Sequence, residues 1–95
     1  AEWEGRLRRS PIVKGISKDE QAWIFRVVAA LARHAGLLGE EALSRQSDIP
    51  LYRVPTVLAL VAQHLNVDGE QVLVHDRQAR LVRLNLDLLR SVLED

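Results

Sequence analysis

The side chains that could carry out catalysis are few and widely separated. The three histidines, His34, His64 and His75, lie 30 and 11 residues apart. A helical pair of metal ligands needs a spacing of one turn, and zinc-binding patterns need closely spaced cysteines or histidines. The chain has no cysteine, which excludes thiolate ligands, thiol nucleophiles and disulfides together. We therefore expect no metal and no cofactor, and interpret each histidine as a surface or boundary residue.

Motifs for a nucleophile or a bound phosphate do not occur either. No serine lies in the G-x-S-x-G pattern of a nucleophile elbow, and neither Gly36 nor Gly39 leads into the Gly-Lys-Ser/Thr of a P-loop. The acidic pair Glu40 and Glu41 stands at a predicted helix start, where the helix dipole favours negative charge without any catalytic role. The sequence predicts a protein that is not an enzyme, takes no small-molecule substrate and acts by binding.

A group of arginines offers another kind of chemistry, contact with phosphate. Arg77, Arg80 and Arg83 lie on or beside a predicted hairpin, next to His75, and Asp76 offsets part of their charge. Guanidinium groups neutralise phosphates without reading base sequence. The alternative is a solvated hairpin whose charges keep the sheet edge soluble. DNA is therefore a possible partner of this surface.

The first 16 residues hold more arginines and few apolar anchors. Pro11 and Gly15 disfavour regular structure, so residues 1–16 are predicted to form an extended linker or basic arm, and residues 17–95 the folded domain. The segment is interpreted either as an arm that contacts phosphates or as a solvated tether. The arginines that extend the candidate nucleic-acid surface beyond the hairpin are Arg6, Arg8, Arg9 and Arg53.

Helical periodicity starts at a capping box. In the pattern S-x-x-E, Ser17 and Glu20 satisfy backbone donors at a helix start, and the helix is predicted to run to about Ala35 and stop at Gly36. A small edge strand is expected at residues 37–38, and a brief helix from residue 40 to residue 46. Pro55 is tolerated only in the first turn of a helix, which predicts a third helix from near residue 54 to about residue 65.

The hydrophobic period then changes from helical to alternating. Strands are predicted from residue 71 and over residues 81–84, joined by a turn at 76–79. Asn85 is the expected N-cap of a last helix. The resulting order predicts a mainly helical α+β fold, a winged helix-turn-helix with a C-terminal helix after the hairpin.

The outward face of the third helix indicates whether such a fold could recognise DNA bases. A recognition helix presents arginine, lysine, asparagine or glutamine to base edges. With the valines and most leucines of this helix facing the core, its outward face is neutral and partly apolar, which favours contact with a protein. The candidate protein-contact residues are Thr56, Ala59, Leu60 and Gln63.

Composition is consistent with one small domain. The 95 residues are 47% hydrophobic, enough for a single core. Thirteen basic and thirteen acidic side chains give a formal net charge of +0, so no global field attracts a polyanion or a membrane. No apolar run has the length of a membrane span, and a cytoplasmic location is expected. The chain begins with Ala1 and has no methionine, which favours excision from a longer protein.

The stretch from Leu51 to Glu94 resembles the C-terminal end of PglZ-family proteins of phage-growth-limitation and BREX defence systems. In that family a helix leads into L-N-V-D/E-G, followed by a V-L strand, a turn, a V-x-L-N strand and a final L-L helix. The matching residues are Leu65, Asn66, Val67, Asp68, Gly69, Val72, Leu73, Val82, Leu84, Asn85, Leu88 and Leu89.

The resemblance implies a larger parent protein with an alkaline-phosphatase-superfamily domain and metal-dependent phosphoester chemistry upstream of these residues. No catalytic residue carries over to this chain. The first hypothesis is an accessory winged-helix domain that docks onto other defence-system proteins or onto itself. The second is a winged helix that makes sequence-tolerant phosphate contacts through its arginines. A standalone regulator is a third.

Overall fold

The computed structural model describes residues 2–94 as a mainly helical α+β domain with a small antiparallel sheet, which confirms the predicted mainly helical α+β class. No helix within that range is both long and apolar enough to cross a membrane. The elements, in chain order, are α1 (Glu2–Arg9), a 3₁₀ turn (Pro11–Val13), α2 (Lys18–Ala32), β1 (Leu37–Gly39), α3 (Glu40–Ser47), a second 3₁₀ turn (Leu51–Arg53), α4 (Val54–Leu65), β2 (Leu73–Asp76), β3 (Leu81–Leu84) and α5 (Leu86–Leu93).

Helix α2 begins as the capping box predicts. The backbone N–H of Glu20 donates to the Ser17 hydroxyl, which in turn donates to the Glu20 carboxylate, both at 3.1 Å. The helix ends at Ala32, about three residues before the predicted end. Ala35 and Gly36 both have positive φ, and the Gly36 N–H donates to the Leu31 carbonyl at 2.7 Å. These left-handed residues turn the chain into β1.

Helix α4 has the predicted bounds, and Pro55 lies in its first turn. Its inward side chains recur at helical spacing and are at most 2% exposed. They pack against α2 and β2. The residues of this buried stripe are Val54, Val57, Leu58, Val61 and Leu65.

The sheet places β3 between β1 and β2, and both pairs are antiparallel. Side chains alternate between its faces. One face carries Leu38, Leu73, Val82 and Leu84 into the core. The predicted hairpin is confirmed, although its first strand begins at Leu73 rather than at residue 71.

Two asparagines attach the hairpin to the helices. The Asn66 side chain at the end of α4 donates to the Leu73 carbonyl at 2.9 Å and accepts from the Leu73 N–H at 2.8 Å. It thereby satisfies both backbone groups of the first residue of β2. After β3, the Asn85 side chain accepts from the Leu88 N–H at 3.1 Å, which confirms the predicted N-cap of α5.

The extended conformation predicted for residues 1–16 is wrong for residues 2–9 and 11–13, and residue 1 lies outside the described residues. Residues 2–9 form α1, which contacts α5, and a 3₁₀ turn follows. The physical reason is burial of two apolar side chains, since Leu7 and Val13 are 0% and 2% exposed within the core. The Gln21 side chain on α2 donates to the carbonyls of Val13 and Ile16, at 3.1 and 3.2 Å. These bonds satisfy backbone groups that an irregular turn leaves unpaired.

Gly36, the residue before β1, lies against the backbone of Leu84 at the end of β3. Its φ is +85°, and a Cβ atom there would stand 2.3 Å from the Leu84 carbonyl oxygen. The Leu84 N–H donates to the Gly36 carbonyl at 2.7 Å. A side chain at this position therefore meets both backbone strain and a rigid backbone atom.

We expect Gly36→Ala to lower the free energy of unfolding by about 3 kcal/mol, because it combines left-handed strain with a steric clash. Gly15→Ala is the matched control. Gly15 has the same φ of +85° but no heavy atom within 4 Å of its added Cβ, so only strain of about 1 kcal/mol is expected. Urea denaturation of both variants measures the difference. Equal losses of unfolding free energy in the two variants would show that the close approach of Gly36 to Leu84 does not add to the effect of the substitution.

Candidate functional site

The outward side of α4 is an uncharged surface, which we call the α4 face. It consists of Thr56, Ala59, Leu60 and Gln63, of which Thr56, Ala59 and Gln63 are exposed. Leu60 was expected to be exposed and is half-buried, because it stands next to the buried stripe on the helix circumference. None of the four side chains ionises, so the face offers apolar contact and hydrogen bonds through an amide and a hydroxyl.

A cationic aromatic cluster adjoins the amino end of α4. The Arg53 guanidinium lies 5.6 Å from the ring centroid of Trp23 and 5.9 Å from that of Tyr52, within the range of cation–π attraction. Tyr52 is 78% exposed and Leu51 is 42% exposed. The Trp23 ring packs partly buried against the core, and it also lies against the Arg53 guanidinium.

The hairpin is joined to α3 by a carboxylate that contacts a histidine and an arginine. The Glu40 Oε2 lies 2.7 Å from His75 Nε2, and its Oε1 accepts from Arg80 Nε at 3.4 Å. The side chains of Glu40 and His75 are only 14% and 13% exposed. Since an ionised carboxylate can only accept, Nε2 of His75 carries the shared hydrogen. The Glu40 N–H also donates to the Arg80 carbonyl at 3.0 Å.

These contacts shift the ionisation of Glu40. The hydrogen bond from His75 lowers the pKa of Glu40 below its ordinary value of 4.5. Partial burial acts in the opposite direction and raises the pKa, while Arg80 lowers it further. The net direction is downward, so the carboxylate is ionised at neutral pH and remains an acceptor for both partners.

The three hairpin arginines, Arg77, Arg80 and Arg83, differ in their surroundings. Arg80 is paired with Glu40, and its guanidinium also lies 4.0 Å from the Glu41 carboxylate. Arg77 lies in the turn, and Arg83 points outward from β3. Within residues 2–94 neither Arg77 nor Arg83 makes an ion pair. The charge of Arg80 is therefore largely offset, and the hairpin presents two unpaired cations.

The amino-terminal arginines belong to α1 rather than to an extended arm. Arg8 lies 4.9 Å from the ring centroid of Phe25 on α2, and Arg6 lies 3.7 Å from Glu94. Arg9 is exposed. The predicted nucleic-acid residues are thus distributed over α1, the turn before α4 and the hairpin.

The role of Glu40 was not found from the sequence. It was interpreted only as a favourable charge at a helix start, and it does occupy the first turn of α3. Its hydrogen-bond partners lie 35 and 40 residues further along the chain. No local spacing connects them, because the pairing of β1 with β3 brings α3 to the hairpin.

The fold is that of a small α+β domain, and no group of three potential metal ligands occurs in the part of the chain that is described. A family model, the BREX system PglZ C-terminal domain, matches residues 8–92. The chain belongs to this family, which confirms the resemblance seen in the sequence, and it corresponds to the C-terminal accessory region of PglZ rather than to its catalytic part. No curated protein and no solved structure gives a significant match.

The lowered pKa of Glu40 predicts an acid-dependent loss of stability. A carboxyl group whose pKa is lowered in the folded state stabilises the fold above its unfolded value, here 4.5, and loses this contribution as the pH falls through the folded value. Glu40→Gln should therefore be less stable than the parent at neutral pH, and the difference should shrink towards about pH 3. Urea denaturation at several pH values measures it.

Glu41→Gln is the matched control. The Glu41 side chain is 64% exposed, and its carboxylate lies at the long distance of 4.0 Å from the Arg80 guanidinium. We therefore expect this pair to contribute less than about 1 kcal/mol to the free energy of unfolding. A Glu40→Gln difference that stayed constant across the pH range would contradict an electrostatic origin.

Proposed function

We propose that this domain is a winged-helix docking module of a PglZ-like antiphage defence protein. The order α2, β1, α3, α4, β2, β3 and the central position of β3 in the sheet support the winged-helix interpretation. In this interpretation α4 is the recognition helix and the hairpin is the wing. Its partner is another defence-system protein or a second copy of the chain, with no metal, cofactor or small molecule taking part.

The observation that carries the docking proposal is the absence of charge on the α4 face. A helix that contacts DNA needs cations or amides directed at the duplex, and here Gln63 is the single residue of that kind on the face. Alanine, threonine and a half-buried leucine instead offer an uncharged surface whose desolvation costs little free energy. The exposed Tyr52 and Arg53 at its margin are residue types enriched at protein interfaces.

The acidic residues of α3 support the same conclusion. Glu40 and Glu41 lie beside the hairpin and pair with Arg80. A phosphate backbone near Arg80 would meet two carboxylates, and like charges oppose such an approach.

A second candidate function is sequence-tolerant binding of nucleic acid. It is favoured by Arg77 and Arg83, which are exposed and make no ion pair among residues 2–94. Arg53 and the α1 arginines Arg6, Arg8 and Arg9 would extend this surface. Phosphate contacts of this kind need no base recognition, so a neutral α4 face does not conflict with them.

Ala59→Asp tests the docking proposal. A carboxylate in the centre of the α4 face should weaken self-association or binding to a co-expressed defence component at least about tenfold, because it must be desolvated without a partner. Light scattering measures self-association, and affinity co-purification measures binding to the defence component. Leu60→Asp should act in the same direction.

Ala22→Asp is the control, since Ala22 is an exposed alanine on α2, outside the α4 face. It should leave association unchanged. A protein that stays monomeric and ignores every co-expressed component, with or without these substitutions, would rule out a docking role.

The nucleic-acid alternative predicts binding to duplex DNA that falls steeply as salt rises, by close to one logarithmic unit per logarithmic unit of salt for each phosphate contacted. Arg77→Glu and Arg83→Glu should each weaken it, whereas Lys14→Glu, an exposed cation outside the wing, should not. Fluorescence anisotropy across a salt series measures the slope. No binding at about 50 mM salt would eliminate this alternative.

A further inference from the structure

An exposed row of three side chains crosses the outer face of the sheet. Leu37 on β1 and Val74 on β2 each lie directly opposite Arg83 on the central strand. Residues paired in this way have their side chains on the same face. Leu37 is 48% exposed and Val74 is 38% exposed. We call Leu37, Arg83 and Val74 the sheet row.

A cleft of about 430 Å³ adjoins the sheet row. Its lining includes the turn residues Ala35 and Gly36 and the amide residues Gln71 and Asn85. Arg83 is the single residue with a formal charge among those that line the cleft. The cleft therefore combines aliphatic residues with two amide residues and a single cation.

The charge of Arg83 is not compensated within the described part of the chain, where its guanidinium makes no ion pair. A guanidinium between two aliphatic side chains favours a carboxylate that itself has aliphatic neighbours. The carboxylate would pair with Arg83 while the neighbours cover Leu37 and Val74, so charge and apolar area are complemented together.

The spacing of the row selects the shape of such a partner. Neighbouring strands lie about 4.8 Å apart, which puts Leu37 and Val74 about 10 Å from each other with Arg83 midway. A helix with residues at i, i+4 and i+7 spans about 10 Å. An extended segment with alternate residues on one face spans about 13 Å over three such positions. The helical spacing matches the row.

We propose that the sheet row and its cleft bind a helical segment of a partner protein with the pattern aliphatic-x-x-x-acidic-x-x-aliphatic, its carboxylate paired with Arg83. A phosphate backbone fits less well, since it has no apolar group to cover Leu37 and Val74. A second copy of this chain, related by a two-fold axis, would bring another arginine rather than a carboxylate towards the centre of the row.

The test uses a fluorescently labelled, alanine-rich helical peptide that contains Leu-x-x-x-Glu-x-x-Leu, and a second peptide with glutamine in place of the glutamate. Titration into the isotopically labelled 95-residue chain should shift the amide resonances of Leu37 and Val74 and the Nε–H resonance of Arg83. The glutamine peptide should bind about tenfold more weakly, because it loses the charge-assisted pair.

Arg83→Ala should weaken binding of the glutamate peptide about tenfold, and Leu37→Ser should weaken it with the cation intact. Arg77→Ala is the matched control, because it removes an unpaired arginine of the same hairpin outside the cleft. Ala59→Asp on the α4 face should also leave peptide binding unchanged, so failure of the docking proposal and failure of this one are distinguishable. A native-like amide spectrum for each variant shows that it is folded.

Three results would overturn the proposal. The first is equal binding of the glutamate and glutamine peptides. The second is a shift of the Arg83 Nε–H resonance by duplex DNA but not by the peptide, which would assign the row to nucleic acid. The third is a concentration-dependent dimer that Leu37→Ser abolishes, which would assign the row to self-association.

Discussion

Burial of one side of α4 is the interaction on which the rest of the domain depends. Its stripe of valines and leucines, from Val54 to Leu65, is at most 2% exposed and packs against α2 and β2. Each fully buried aliphatic side chain contributes about 2 kcal/mol to the stability of the fold. Rotation of the helix about its axis would therefore lose more free energy than a surface contact could contribute. The orientation of the α4 face towards solvent follows directly from this burial.

Polar contacts then hold the hairpin at the correct place beside that core. Asn66 bonds both backbone groups of Leu73, and Glu40 on α3 bonds His75 on β2. The close approach of Gly36 to Leu84 aligns β1 with β3. The contacts of Glu40 with His75 and of Gly36 with Leu84 join segments that are distant in sequence, so the hairpin is positioned by a few specific contacts as well as by burial.

The distribution of charge separates the surfaces of this BREX system PglZ C-terminal domain. A net charge of +0 does not mean a uniformly neutral surface. Arg80 is compensated by Glu40 and Glu41, Arg53 lies over aromatic rings, and the α4 face is uncharged. Arg83 remains uncompensated between two aliphatic side chains, which is the arrangement that suits a carboxylate with apolar neighbours.

The sequence alone determined the features that depend on neighbouring residues: the capping box at Ser17, the bounds and buried stripe of α4, the hairpin, and the family. These follow from local hydrogen bonds and from hydrophobic periods of 3.6 and 2, which are visible in a short window. Only the tertiary structure decided that residues 2–9 are helical, because Leu7 is buried by distant elements. It also decided the pairing of Glu40 with His75 and the alignment of Leu37, Arg83 and Val74, since strand register and helix packing bring together residues that no local pattern connects.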